Sequence, residues 1–268
     1  MVALRSRLAL RTLALGYLAV LLVVPVGMVF YRAFEHGLGR FFDALTTAEA
    51  THAIWLTLLV VGIAVPLNTI FGIVMALALE RRRFRGRAVV ERIIDLPFVI
   101  SPIVVGLALV LVYGEQGWAG STLVDNGIRV IFSTPGIVLA TMFVSLPFVV
   151  REVAPVLREI GTEQEQAAQT LGASGWQTFW RITLPAIRPA VAYGVVLTTA
   201  RALGEFGAVA VVSGHLKGQT ETLTLYVQDR FEGFDVTGAY AISVLLAVFA
   251  MSALLGMTYL DRRRARRS

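Results

Sequence analysis

The 268-residue sequence contains no cysteine, a single lysine and three histidines. Without cysteine neither a disulfide framework nor a thiolate metal site can form, and His36, His52 and His215 match no metal-ligand spacing. Charge is scarce as well: 16% of the residues are charged, against about 25% in ordinary soluble chains. What fills the sequence instead is apolar, 56% of all residues with a mean hydropathy of +0.72. These residues lie in long runs rather than at helical or alternating spacing, which leaves no room for a separate water-soluble domain. Residues 1–268 therefore read as one unit, with a long loop at about 151–188. The formal net charge of +6 does not point to nucleic acid, because most arginines sit beside apolar runs, where membrane topology signals belong.

A helix crosses a bilayer with about 20 mostly apolar residues. On that measure the chain is all-α and polytopic, with about six spans near 13–31, 53–79, 93–113, 131–150, 189–212 and 238–260. The fourth is short and needs Ile131 and Phe132, or a helix continuing past Arg151, to cross. Six spans put both termini on one side. Eighteen basic residues fall on that side, including Arg81 to Arg83, Arg151, Arg181 and Arg262, and five on the other, Arg32, Arg40, Arg129, Lys217 and Arg230. The imbalance places both termini in the cytoplasm. Arg5, Arg7 and Arg11 precede the first apolar run as in a signal peptide, but that run is too long and no small-residue cleavage site follows Tyr31. Pro25, Pro66 with Asn68, Pro97, Ser101 with Pro102, Pro135 and Pro147 interrupt the spans. Broken helices need protein neighbours or a watery cavity to satisfy the freed backbone groups, which favours a transporting bundle over a passive anchor.

About forty residues separate the fourth and fifth spans, long for a simple connection. Thr162-Glu163-Gln164-Glu165 spells a capping box that predicts a short helix running to Leu171 and stopping at Gly172. Ser174-Gly175-Trp176-Gln177 spells a second, opening a helix with Trp176, Phe179 and Trp180 on one face and Pro185 ending it. Adjacent Ala167 and Ala168 allow another backbone to approach closely, the chemistry of a knob in a partner's groove, while the aromatic half suits the membrane interface.

This loop resembles the EAA motif of binding-protein-dependent ABC importers, Glu-Ala-Ala, three residues, Gly, nine residues, Ile-x-Leu-Pro. Here Ala167-Ala168, Gly172 and Ile182-Thr183-Leu184-Pro185 match both spacings, Gln166 replaces the motif's glutamate, and Glu163 and Glu165 lie nearby. Asp95 to Leu107 and the stretch Ala200 to Gly214, with its Gly204-Glu205-Phe206-Gly207-Ala208 core, resemble the oxyanion branch of these permeases. Val209 to Gly214 and Lys217 to Leu225 are most similar to its sulfate/thiosulfate, CysW-type members, with molybdate/tungstate permeases as the alternative. The resemblance implies a type I importer fold in a prokaryotic plasma membrane and no cofactor on this chain. It further implies a second homologous permease, two copies of a cytoplasmic ATPase that bind ATP and Mg, and an extracytoplasmic sulfate-binding protein. Glu165, Gln166, Ala167, Ala168, Gly172, Ile182, Leu184 and Pro185 become the expected ATPase-coupling residues.

Hydrolysis has no place on this chain, because the phosphate-cradling loop needs G-x-x-x-x-G-K-[ST] and the sole lysine, Lys217, is followed by Gly218. A self-contained carrier would need intramembrane ionisable groups, of which Asp95, Arg201 and Glu205 are the candidates. An intramembrane enzyme lacks a nucleophile and base. Ser101 and Asp95 mark an interrupted helix whose freed amides could meet an anion, or a structural kink with Asp95 capping or pairing with Arg92. Arg201 and Glu205, at i, i+4 with Gly204 between them, form either an outer gate or a self-neutralising pair.

Overall fold

The computed structural model describes the backbone of residues 2–265 and the side chains of residues 10–253, 255 and 256. The terminal arginines of the topology argument, Arg5, Arg7 and Arg262 to Arg267, lie outside the described side chains. In chain order the elements are α1 (Val2–Leu18), a π-helical turn (Ala19–Val23), α2 (Val24–Phe34), α3 (Gly37–Thr46) and α4 (Ala48–Arg81). Next come α5 (Arg87–Val99), α6 (Pro102–Tyr113), α7 (Gly120–Asp125), α8 (Thr134–Ser145) and α9 (Pro147–Ile160). The remainder is α10 (Glu163–Thr170), α11 (Gly175–Thr178), a second π turn (Phe179–Thr183), α12 (Leu184–Leu203), α13 (Gly207–Val212), α14 (Leu223–Glu232) and α15 (Val236–Ala265).

Five continuous helices among the described residues are long and apolar enough to cross a membrane: Leu10–Phe34, Ala48–Arg81, Thr134–Ile160, Gly175–Leu203 and Val236–Ala253. A sixth passage is made by α5 and α6 together, bent by 112° at Ile100 and Ser101. Both ends of that passage are fixed by hydrogen bonds. The Arg81 guanidinium donates to the carbonyls of Leu157 and Gly161, so α4 and α9 end on one side. The Phe132 amide donates to the Val212 carbonyl just before α8 begins, a span's length away. Residues 82–133 must therefore change sides, and the broken pair is the helical structure with which they do it.

Three expected spans differ in extent. The fourth crosses by running past Arg151 to Ile160 rather than by recruiting Ile131 and Phe132, which stay outside the helix. The fifth starts fourteen residues early, at Gly175, and ends at Leu203, leaving residues 204–212 outside it. Pro185 does not end the second loop helix, because the π turn ahead of it absorbs the missing donor and the helix continues into the span. The third is not a single rod at all.

Packing centres on α9. A Cβ on Gly72 of α4 would come within 2.5 Å of Val149, and one on Gly194 of α12 within 2.9 Å, so two glycines let both helices close on the same valine. Around this point Ala76, Leu79, Val149, Val150, Val153, Leu157, Ile187 and Ala190 form a buried cluster. A second cluster joins Leu56 and Val60 to Val105, Ile137, Val144, Val209 and Val212. At the join of α8 and α9, the Leu146 amide turns to Phe143, which frees the Met142 carbonyl. Buried Asn68 takes that carbonyl at 2.9 Å and the Ser145 hydroxyl at 2.9 Å, so the polar residue beside Pro66 repairs a break on a neighbouring helix.

Candidate functional site: a coupling loop and two helix breaks

The loop after α9 folds as two helices, as its sequence predicts, but is held differently. Gly161 and Gly172 both take positive φ, +64° and +86°, conformations glycine reaches without strain, and they bracket α10. The second capping box forms in full: the Ser174 hydroxyl accepts from the Gln177 amide and the Gln177 side chain accepts from the Ser174 amide. The first does not. Thr162 Oγ1 accepts from the Gln166 side chain at 3.1 Å, and no amide of α10 reaches it. Glu165 instead turns inward, pairing with Arg81 Nε at 2.9 Å and accepting from Thr183 Oγ1 at 2.9 Å. Since Arg81 also binds the last carbonyls of α9, one guanidinium ties α4, α9 and α10 together, and Glu165 adds the π turn before α12. Arginine suits this, having a rigid planar fork of donors.

On the outside of the loop Ala167 and Gly172 are exposed, Ala168 is half-buried, and Leu171 is 89% exposed at the tip of α10. Trp176 and Trp180 are exposed and stack edge to face at 5.4 Å. Ile182 and Leu184 are half-buried against the bundle and Pro185 is exposed. The structure thus divides the loop into a presented face, Ala167, Leu171 and Gly172, and an anchoring set, Glu165, Thr183 and Leu184. Arg81, Thr183 and Leu171 were missed by sequence reasoning. Leu171 alone left a signal there, a large apolar residue ending a polar helix.

The second region is where two broken helices meet. The fifth span stops at Leu203, the chain turns through Gly204 to Phe206, and α13 begins at Gly207. A Cβ on Gly207 would lie 3.0 Å from Pro102 and 3.4 Å from Ile103, which puts this break directly against the start of α6. Ser101 is exposed and donates to no neighbour among the described residues. Glu205 is buried, its Oε1 accepting from the Ala208 amide at 2.9 Å and its Oε2 paired with Arg201 at 2.7 Å. The i, i+4 pairing therefore forms, although Glu205 has left the helix that carries Arg201. Thr224 Oγ1 donates to the Glu205 carbonyl at 2.7 Å, tying the break to α14. Asp95 neither caps its helix nor pairs with Arg92; it binds Arg151 of α9 at 2.8 Å, and the Arg151 guanidinium lies over the Phe98 ring.

Residues 68–266 match the protein family described as "Binding-protein-dependent transport system inner membrane component". The chain belongs to this family. Among its relatives, the sulfate transport system permease protein CysW of Synechococcus elongatus is 49% identical over 97% of this chain and 91% of its own length. The CysW protein of Escherichia coli K12 is 44% identical over 91% of this chain and 84% of its own. The CysT permease of the same organism is 36% identical over 96% and 94%. In shape the chain is similar to a bacterial ABC transporter involved in import of the acidic polysaccharide alginate, with a TM-score of 0.81, 23% identity and coverage of 97% and 96% of the two chains.

As an inner-membrane transport component, the protein is a permease and not an enzyme. The face opposite the loop after α9 carries a cavity of 640 Å³ lined by Tyr113, Glu115, Gln116, Arg129 and Phe132 among others. It sits between the C-terminal end of α6 and the entry to α8. Beside it Phe132, at a φ of +58°, lies against Gly214, where an added Cβ would come within 2.7 Å of its ring.

Proposed function

We propose that this permease is one of two homologous membrane subunits in an ATP-driven importer of sulfate or thiosulfate. The observation that carries the reading is 44–49% identity, over at least nine-tenths of the chain, to proteins named as sulfate permeases CysW. CysT-named permeases align at 36–37% over nearly the whole chain, which supports a homologous second subunit. Two copies of a cytoplasmic ATPase bind ATP and Mg, and an extracytoplasmic binding protein delivers the anion. The chain sits in a prokaryotic plasma membrane with both termini and the coupling loop in the cytoplasm. Ala167, Ala168 and Gly172 enter the ATPase groove, Ile182, Leu184 and Pro185 pass the motion into the fifth span, and Gln166 braces α10 through Thr162. The juxtaposed breaks at Ser101 and Gly204 form the passage, with Arg201 and Glu205 as its gate.

The test is uptake of labelled sulfate by the complete complex in proteoliposomes. ATP-dependent uptake competed by thiosulfate and not by molybdate is expected. Competition by molybdate at equal concentration would move the assignment to that oxyanion, and uptake by the chain without its ATPase would overturn the ABC mechanism. In the same assay Arg201→Gln should depress uptake while the complex still assembles; normal uptake removes the gate role.

A further inference from the structure

The seven residues Arg81-Arg82-Arg83-Phe84-Arg85-Gly86-Arg87 between α4 and α5 contain five arginines, and the structure divides them into two classes. Arg81 is engaged by Glu165 and the end of α9. Arg87 is engaged by Glu80 and Glu91. Arg82, Arg83 and Arg85 are exposed and take part in no ion pair or side-chain hydrogen bond among the described residues, and Arg92 on α5 is the same. Neighbouring carboxylates are already occupied: Glu80 also binds Arg158, and Asp95 binds Arg151. Four guanidinium groups are therefore left free, three of them within four residues of the last turn of the membrane-spanning α4 and the fourth on α5.

Their surroundings indicate what they meet. Phe84 is 40% exposed in the middle of the run, and α5 presents Val89, Ile93, Leu96 and Val99 outward with Arg92 among them. Because α5 is turned 112° from α6, it does not continue along the spanning direction, and this helix combines an apolar outer strip with a basic edge. A surface that alternates free arginines with bare apolar side chains at the end of a span matches a lipid boundary, where phosphate lies above hydrocarbon. Arginine is also the residue whose fork matches phosphate oxygens in pairs. We propose that Arg82, Arg83, Arg85 and Arg92 form a binding site for the headgroups of anionic phospholipids, with Phe84 and the outer strip of α5 in the acyl region.

The test compares the assembled complex with a triple variant, Arg82→Gln, Arg83→Gln and Arg85→Gln, in nanodiscs of phosphatidylethanolamine and phosphatidylglycerol. The readout is the phosphatidylglycerol retained per complex after detergent exchange. Each surface guanidinium contributes roughly fivefold to anionic-lipid binding, so the triple variant should lose at least about tenfold of the enrichment, and Arg40→Gln should lose none. Unchanged enrichment overturns the site. If enrichment is unchanged but the ATPase no longer co-purifies, the surface belongs to the ATPase and the proposal fails. Should the variant assemble poorly, the wild-type complex decides: labelled phosphatidylglycerol must bind more tightly than labelled phosphatidylethanolamine and be released by salt. Equal binding of the two lipids overturns the proposal, whether or not the complex imports sulfate.

Discussion

At the scale of single residues, the charged groups of this permease divide by what they face. Arg81 and Glu205 face inward and organise backbone, whereas Arg82, Arg83 and Arg85 face outward. Glu221 is an inward acid of another kind: it is only 3% exposed, and among the described residues no hydrogen bond to its side chain compensates burial. Its carboxyl is raised above the usual range chiefly by desolvation, then by repulsion from Asp229 and Glu49, which Lys217 and Arg230 offset in part. A raised acid favours the folded state when protonated. Its stabilising contribution is therefore complete below the ordinary carboxylate pKa and is lost as pH rises through the raised value. Glu221→Gln should raise the thermal midpoint of the purified complex at neutral pH and flatten its decline between mildly acidic and neutral pH. A midpoint and pH slope equal to wild type would show that the carboxylate is compensated in the assembled complex. None of this is visible in the sequence, where Thr220-Glu221-Thr222 simply falls between two apolar runs.

At the scale of elements, the loop between α9 and α12 shows what sequence conveys and what it does not. Both short helices, the reversal at Gly172 and the Ser174 capping box are legible, because each depends on residues within four positions of one another. The mistaken capping box at Thr162 failed for the opposite reason. Glu165 can reach back to its own helix, but Arg81, 84 residues away, offers a charged partner, and a charge-assisted bond outweighs a neutral cap. Two substitutions separate the functions. Gly172→Val forces a β-branched side chain into left-handed backbone, costing about 1–2 kcal/mol; a Cβ there meets nothing within the chain, so ATPase co-purification should fall while membrane insertion persists. Arg81→Gln removes charged hydrogen bonds worth about 1.5–3 kcal/mol each; the ATPase should stay bound, with more ATP hydrolysed per sulfate delivered. A wild-type ratio of hydrolysis to uptake in Arg81→Gln would show that the tie is not part of the transmission.

At the scale of the whole molecule, hydropathy reveals the number of passages but not their shapes. Runs of apolar residues mark where the chain can cross, and prolines mark where it can bend, yet neither says that the bends at Ser101 and Gly204 touch. That contact depends on Gly207 meeting Pro102, 105 positions apart, and no local rule carries it. Ser101→Cys in this cysteine-free chain should react with a water-soluble thiol reagent in at least one nucleotide state; protection in every state would exclude Ser101 from the passage. The bend has an electrical consequence. At about 1.5 Å per residue, α5 and α6 measure about 20 and 18 Å, and with a bend of 112° their far ends lie only about 21 Å apart, less than the roughly 30 Å of a hydrocarbon core. Where a watery cavity reaches such a break, the transmembrane voltage falls over a shorter distance. A dianion entering a cell that is negative inside works against about 4.6 kcal/mol per 100 mV, and a short dry gap confines that work to a brief movement. On the passage proposed above, a single conformational stroke at the two breaks carries sulfate past nearly the whole of the opposing field.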